Sequence, residues 1–116
     1  AMAAGGVAYL MGGDAVQVSH AAALALKNLL GLACDPVAGL VEVPCVKRNV
    51  MGAVNALTSA DMVMAGITSK IPPDEVIDAM RAIGRSMSED IRETGKGGLA
   101  GTPTGVAIRE RMAGTL

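Results

Sequence analysis

The chain has 116 residues, 51% of them hydrophobic, with a formal net charge of −1, two cysteines and a single aromatic residue, Tyr9. That length predicts one domain, able to bury roughly two-thirds of its unfolded surface without disulfide or metal staples. The balanced charge and missing aromatic platform argue against nucleic-acid binding; no apolar run reaches the ~18 residues of a membrane helix, and the N-terminus lacks the basic stretch of a secretory signal.

The first predicted element is a helix over 2–11, with Met2, Ala3, Val7, Leu10 and Met11 on one face and Gly12-Gly13 ending it. Asp14 offers an N-cap and Gln17, three residues on, completes a capping box. A second helix is expected from Ala15 to about Leu32, because Val18, Ala22, Ala25, Leu26, Leu29 and Leu30 recur at helical spacing. Pro36, Gly39 and Pro44 then exclude a long regular element, although Leu40–Val43 has the composition of a brief extended segment.

A third helix is predicted from Val46 to about Ile67, carrying Val46, Val50, Val54, Leu57, Met62 and Met64 together with the small residues Gly52, Ala53, Ala56 and Ala60. Pro72-Pro73-Asp74-Glu75 is a helix start: proline suits the first turn and acids suit its positive end. Val76, Ile77, Met80, Ile83, Met87 and Ile91 follow one face towards an end near Gly95. Thr102-Pro103 opens a last short helix. The expectation is an all-α fold of five helices with a cysteine-bearing loop between the second and third. A mean hydropathy of +0.43 without large aromatic side chains implies close helix contacts through small residues, or apolar surface meant for another chain. The methionines Met62, Met64, Met80 and Met87 are expected in the core, and His20 on a helix surface.

Both cysteines fall in the segment Cys34–Cys45. Two thiols on one loop suit a soft metal or cluster, a disulfide, or two buried free cysteines. Without a targeting signal the cytoplasm is the default compartment, and there a close pair leans towards metal binding or catalysis. Zinc needs four ligands and His20 lies a helix away. A [4Fe–4S] cluster needs at least three thiolates, one more than the sequence contains.

The run Gly31-Leu32-Ala33-Cys34-Asp35-Pro36-Val37-Ala38-Gly39-Leu40-Val41-Glu42-Val43-Pro44-Cys45-Val46-Lys47-Arg48-Asn49, followed by Gly52-Ala53, closely resembles the bacterial iron–sulfur L-serine dehydratases. It is most similar to the α chain of the two-subunit type. Ala1–Gly5, Glu93-Thr94 with Gly97-Gly98-Leu99-Ala100, and Thr102-Pro103-Thr104-Gly105 match the same family. The resemblance implies deamination of L-serine to pyruvate and ammonia without pyridoxal phosphate, assisted by a [4Fe–4S] cluster with one iron free of protein thiolate. It makes Cys34 and Cys45 two of three thiolate ligands. The family's remaining ligand cysteine sits in a glycine-cysteine-glutamine segment just upstream of where this chain starts. The expectation is therefore a C-terminal piece of the catalytic α chain, inactive and without an intact cluster when alone, whose partners are the rest of the α chain, the β chain and L-serine.

Arg48 and Asn49 are the candidate substrate-binding residues, Arg48 pairing with a carboxylate and Asn49 orienting it; the plainer alternative is a first helical turn with solvated charges. Asp35 before Pro36 suggests a local Asx turn. Gly97-Gly98 reads as helix termination, or as backbone close to the active site if family position is followed. No residue is singled out as a catalytic base. A competing reading is a small helical scaffold with buried free cysteines, and a homo-oligomer fits either case.

Overall fold

The computed structural model describes residues 1–115. Five α-helices carry the fold: α1 (Met2–Leu10), α2 (Ala15–Lys27), α3 (Cys45–Met64), α4 (Pro73–Ser86) and α5 (Pro103–Ala113). Among the described residues there is no strand, only an isolated parallel bridge between Cys34 and Arg92. The all-α class holds, with Cys34 in the loop between α2 and α3 and Cys45 as the first residue of α3. Among the described residues no helix is long and apolar enough to cross a membrane.

The helix starts follow the sequence closely. Asp14 accepts the Gln17 N–H at 2.8 Å while the Gln17 side chain accepts the Asp14 N–H at 2.9 Å. These reciprocal bonds satisfy two of the orphan donors at the start of α2. Two helix ends come earlier than expected. α2 stops at Lys27 rather than Leu32, because Asn28 caps it and Gly31 takes the left-handed conformation at φ 74°. α4 stops at Ser86 rather than near Gly95. Ser88 starts a separate 3₁₀ turn, Glu89–Ile91, by accepting the Asp90 N–H, so Met87 and Ile91 leave the face that the apolar periodicity assigned to them. Leu40 is extended as expected, but residues 41–44 form a turn.

The chain separates into two compact units, each made of two stretches of sequence. The first comprises residues 1–31 and 51–85; the second comprises 32–50 and everything from Ser86 onward. The core of the first unit is Ala4, Ala8, Ala21, Leu24, Ala25, Ala56, Ala60 and Val63, with Val7, Val18 and Met62 packed against it. The buried helix faces differ from those the apolar pattern predicts. Met2 is 92% exposed and Leu10 83%, whereas α1 buries Ala4, Gly5 and Ala8. Likewise α3 buries Ala56, Ser59, Ala60 and Val63 and leaves Val46, Val50, Val54 and Leu57 in the open, and Met80 of α4 is exposed.

The reason is helix approach. A β-carbon on Gly5 of α1 would meet Val18 Cγ1 of α2 at 3.3 Å and the Val18 carbonyl oxygen at 3.5 Å. Backbones this close admit only small side chains, so the larger apolar residues turn outward. Polar ties reinforce the same unit. Asn55 Nδ2 donates to the Ala25 carbonyl at 2.9 Å, and Asn28 Nδ2 donates to Asn55 Oδ1 at 2.6 Å. His20 is half-buried rather than a free surface residue, and its Nδ1 accepts the Ser69 N–H at 3.2 Å.

In the second unit α5 packs against the turns Val37–Gly39 and Gly98–Gly101. Thr102 caps α5 by accepting the Gly105 N–H, and Pro103 takes its first turn. Gly105 is buried where a β-carbon would run into the Leu99 carbonyl. Those close contacts hold the 95–101 loop, whose Leu99 N–H donates to Asp35, the residue after Cys34.

Candidate functional site

The whole cysteine segment lies within the second unit. Cys34 is held by its backbone: its N–H donates to the Ile91 carbonyl at 2.9 Å, and its carbonyl accepts the Glu93 N–H at 2.8 Å. Past Pro36 the chain turns back on itself, with Ala38 at φ 55° and Gly39 at φ 73°. The Val37 N–H donates to the Val43 carbonyl at 2.9 Å and closes the loop. The Val43-Pro44 peptide is cis, and Cys45 follows as the first residue of α3. Both thiols are free and half-buried.

The residue that organises this segment is Asp35, only 2% exposed. Arg48 NH1 donates to its Oδ1 at 2.5 Å, and the Leu99 N–H donates to its Oδ2 at 2.6 Å. The same Arg48 nitrogen donates to the Ala33 carbonyl at 2.7 Å. Burial alone would push the Asp35 carboxyl up. The Leu99 N–H and the Arg48 guanidinium more than offset that and hold it below its ordinary value of 3.8. A buried charge is tolerated when paired and hydrogen-bonded in this way.

Gly98 completes the cradle. Its φ is +58°, and a β-carbon there would collide with the Asp35 carboxylate. A β-carbon on Gly95 would sit 3.0 Å from the Pro36 carbonyl oxygen, and one on Gly97 would sit 2.9 Å from Asp90 Cβ. Gly95 and Gly98 therefore let a second strip of backbone lie directly on the cysteine loop, and Gly97 lets the same strip pass Asp90. This departs from simple helix termination, since α4 has already ended at Ser86.

Of the residues singled out from sequence, Cys34, Cys45, Arg48 and Asn49 all fall in this one unit. Arg48 is not a solvated charge: its side chain is 26% exposed and one edge is engaged by Asp35 and Ala33. No partner among the described residues engages its remaining nitrogens. Asn49 and Lys47 are exposed. Asp35 does not spend its carboxylate on a local turn. Its pairing with a cation was open to inference, because Lys47 and Arg48 are the only two in the segment 32–50; its burial was not.

One cavity of the unit, about 600 Å³, is lined by Ala38, Leu40, Arg109, Met112, Ala113 and Thr115. It is apolar, and neither cysteine lines it. Among the described residues no three His, Cys, Asp or Glu side chains converge as a metal-binding group. Two free, half-buried thiols fit part of the soft donor set of an iron–sulfur centre and stop one short of three.

Residues 1–100 match a family model described as serine dehydratase alpha chain, a match that includes both cysteines, Asp35, Arg48 and the Gly97–Leu99 strip. The chain belongs to the serine dehydratase alpha chain family. Relatives in that family are similar along nearly its whole length. It is 61% identical over 98% of the chain to a probable L-serine dehydratase alpha chain of Latilactobacillus sakei, of which it covers 54%. It is 60% identical over 97% of the chain to a probable L-serine dehydratase alpha chain of Bacillus subtilis, of which it covers 38%. To the L-serine dehydratase alpha chain of Peptoniphilus asaccharolyticus it is 52% identical over 94% of the chain, covering 37% of that protein. The chain thus spans about half the length, or less, of these serine dehydratase alpha chains.

Proposed function

We propose that the chain is the cysteine-bearing part of a bacterial L-serine dehydratase α chain, serving conversion of L-serine to pyruvate and ammonia in the cytoplasm. The observation that carries this reading is the family match over residues 1–100, with two free thiols held in one folded unit inside it. Cys34 and Cys45 supply two thiolates to a [4Fe–4S] cluster, and the third comes from outside the present sequence. When bound, such a cluster supplies a Lewis-acidic iron that polarises the serine hydroxyl.

The chain's own residues then act on the other end of the substrate. Arg48 is fixed through one edge by Asp35 and Ala33, which leaves its outer edge to meet the serine carboxylate. Asn49, exposed one residue further along α3, orients that carboxylate. The overall reaction removes the α-proton and the β-hydroxyl as water; the aminoacrylate formed tautomerises to an imine, whose hydrolysis releases ammonia and leaves pyruvate. The exposed apolar side chains of the helices support docking onto the rest of the α chain and the β chain.

The test is anaerobic reconstitution with iron and sulfide, followed by visible absorbance and mass. The 116-residue chain as a monomer should develop no stable four-iron spectrum. A protein that adds the rest of the α chain and the β chain should develop one and turn over L-serine. In that protein Cys34→Ser and Cys45→Ser should each lose the spectrum and at least about 100-fold in turnover. A stable four-iron centre on the monomeric chain, or full activity in either serine variant, would overturn the reading.

A further inference from the structure

Arg48 lies one helical turn beyond Cys45, yet its guanidinium reaches back to grip the chain on both sides of Cys34. It bonds the Ala33 carbonyl before that cysteine and the Asp35 carboxylate after it. Asp35 adds a third tie through its other oxygen, to the Leu99 N–H of the glycine strip. The backbone of Cys34 is pinned as well, by Ile91 and Glu93. A carboxylate offers each donor its own acceptor oxygen, whereas the amide of the same size would turn an N–H₂ donor towards one of them.

We propose that Asp35, through Arg48 and Leu99, is a positioning residue that fixes the segment of Cys34 relative to the start of α3, so that Cys34 and Cys45 act as a two-thiolate pair on one soft centre. This rests on the reading of the two cysteines as ligands. Asp35 touches neither the centre nor the substrate. Its part is the usual one of outer partners around a metal, whose loss costs about 10- to 100-fold in affinity. Two thiolates held in place bind a single ion more tightly than two that must each be ordered on binding.

The experiment uses the full chain, fully reduced, at one fixed pH, with Cd²⁺ alone as the probe. Affinity and the thiolate-to-metal charge-transfer absorbance report how many thiolates each ion takes. In the native sequence one Cd²⁺ should bind with the absorbance of two thiolates, and Cys34→Ser or Cys45→Ser should halve that absorbance and weaken binding. Asp35→Asn, with its helical circular dichroism retained, should weaken Cd²⁺ binding at least about tenfold. The same substitution in the Cys34→Ser background should have no effect, because one thiolate has no partner to be aligned with.

Should Asp35→Asn fail to fold, Arg48→Lys replaces it. That variant keeps the charge opposite Asp35 but loses the grip on both sides of Cys34, and the same tenfold loss and the same disappearance in the Cys34→Ser background are expected. A folded Asp35→Asn or Arg48→Lys protein that binds Cd²⁺ like the native chain, through both thiolates, would overturn the positioning role while leaving the ligand reading intact. A native chain whose Cd²⁺ affinity is unchanged by Cys34→Ser or by Cys45→Ser would overturn the paired-thiolate positioning role, while the ligand reading stands or falls by the four-iron spectrum of the two serine variants.

Discussion

Gly98 and Asp35 meet where there is no room for a β-carbon. Gly98→Ala would place an L-residue at φ +58° and drive its methyl into a buried carboxylate. The expected loss is about 2–4 kcal/mol, the left-handed backbone penalty plus overpacking. Gly12→Ala is the control: its φ is +89° but no atom lies within 4 Å, so about 1 kcal/mol is expected. Urea unfolding of the two variants checks the difference. Asp35 also predicts a pH dependence. Its folded value lies below the ordinary 3.8, so its stabilising contribution is present in full at neutral pH. It fades as pH falls through about 4 and is gone below the folded value. Asp35→Asn should flatten this part of the stability–pH curve, measured by denaturant unfolding between about pH 2 and 6. That Asp35 has two cations, Lys47 and Arg48, to pair with in its own segment was within reach of the sequence; its burial was not. Its bond to the Leu99 N–H was not, because 64 residues separate donor and acceptor.

At the scale of the element, caps were legible and faces were not. The Asp14–Gln17 box and the Thr102-Pro103 start of α5 depend on neighbours within one turn, so local chemistry identifies them. The buried face of α1 depends on how near α2 comes. A reading that ranks residues by hydrophobicity selects Met2 and Leu10, while the structure buries Ala4, Gly5 and Ala8. The same holds in α3, where Ala56 and Ala60 from the small-residue set are buried but Ala53 is not. Ala60→Leu, at a position with no exposure, should therefore destabilise the chain by about 1–3 kcal/mol through overpacking. Val54→Ala, on an exposed part of the same helix, should change stability by less than about 0.5 kcal/mol. Thermal unfolding followed by circular dichroism compares them; equal effects would mean that the apolar face, not the small one, carries the packing.

At the scale of the whole molecule, apolar side chains remain at the surface in number, among them Tyr9, Leu10, Val16, Val54 and Leu57. Exposure on this scale predicts association. Sedimentation equilibrium of the isolated chain should show a mass that rises with concentration, and Val54→Lys with Leu57→Lys should lower it; a strict monomer at all concentrations would refute the expectation. The amino-acid sequence by itself determined the helical class, the helix starts and the family, because each rests on short-range chemistry or on a contiguous run such as Gly31–Asn49. Tertiary structure alone decided which residues are buried and that Asp35, Arg48 and Leu99 share one site. The physical reason is distance along the chain: these features arise from contacts between segments tens of residues apart, where the approach of backbones rather than the character of a side chain selects what fits.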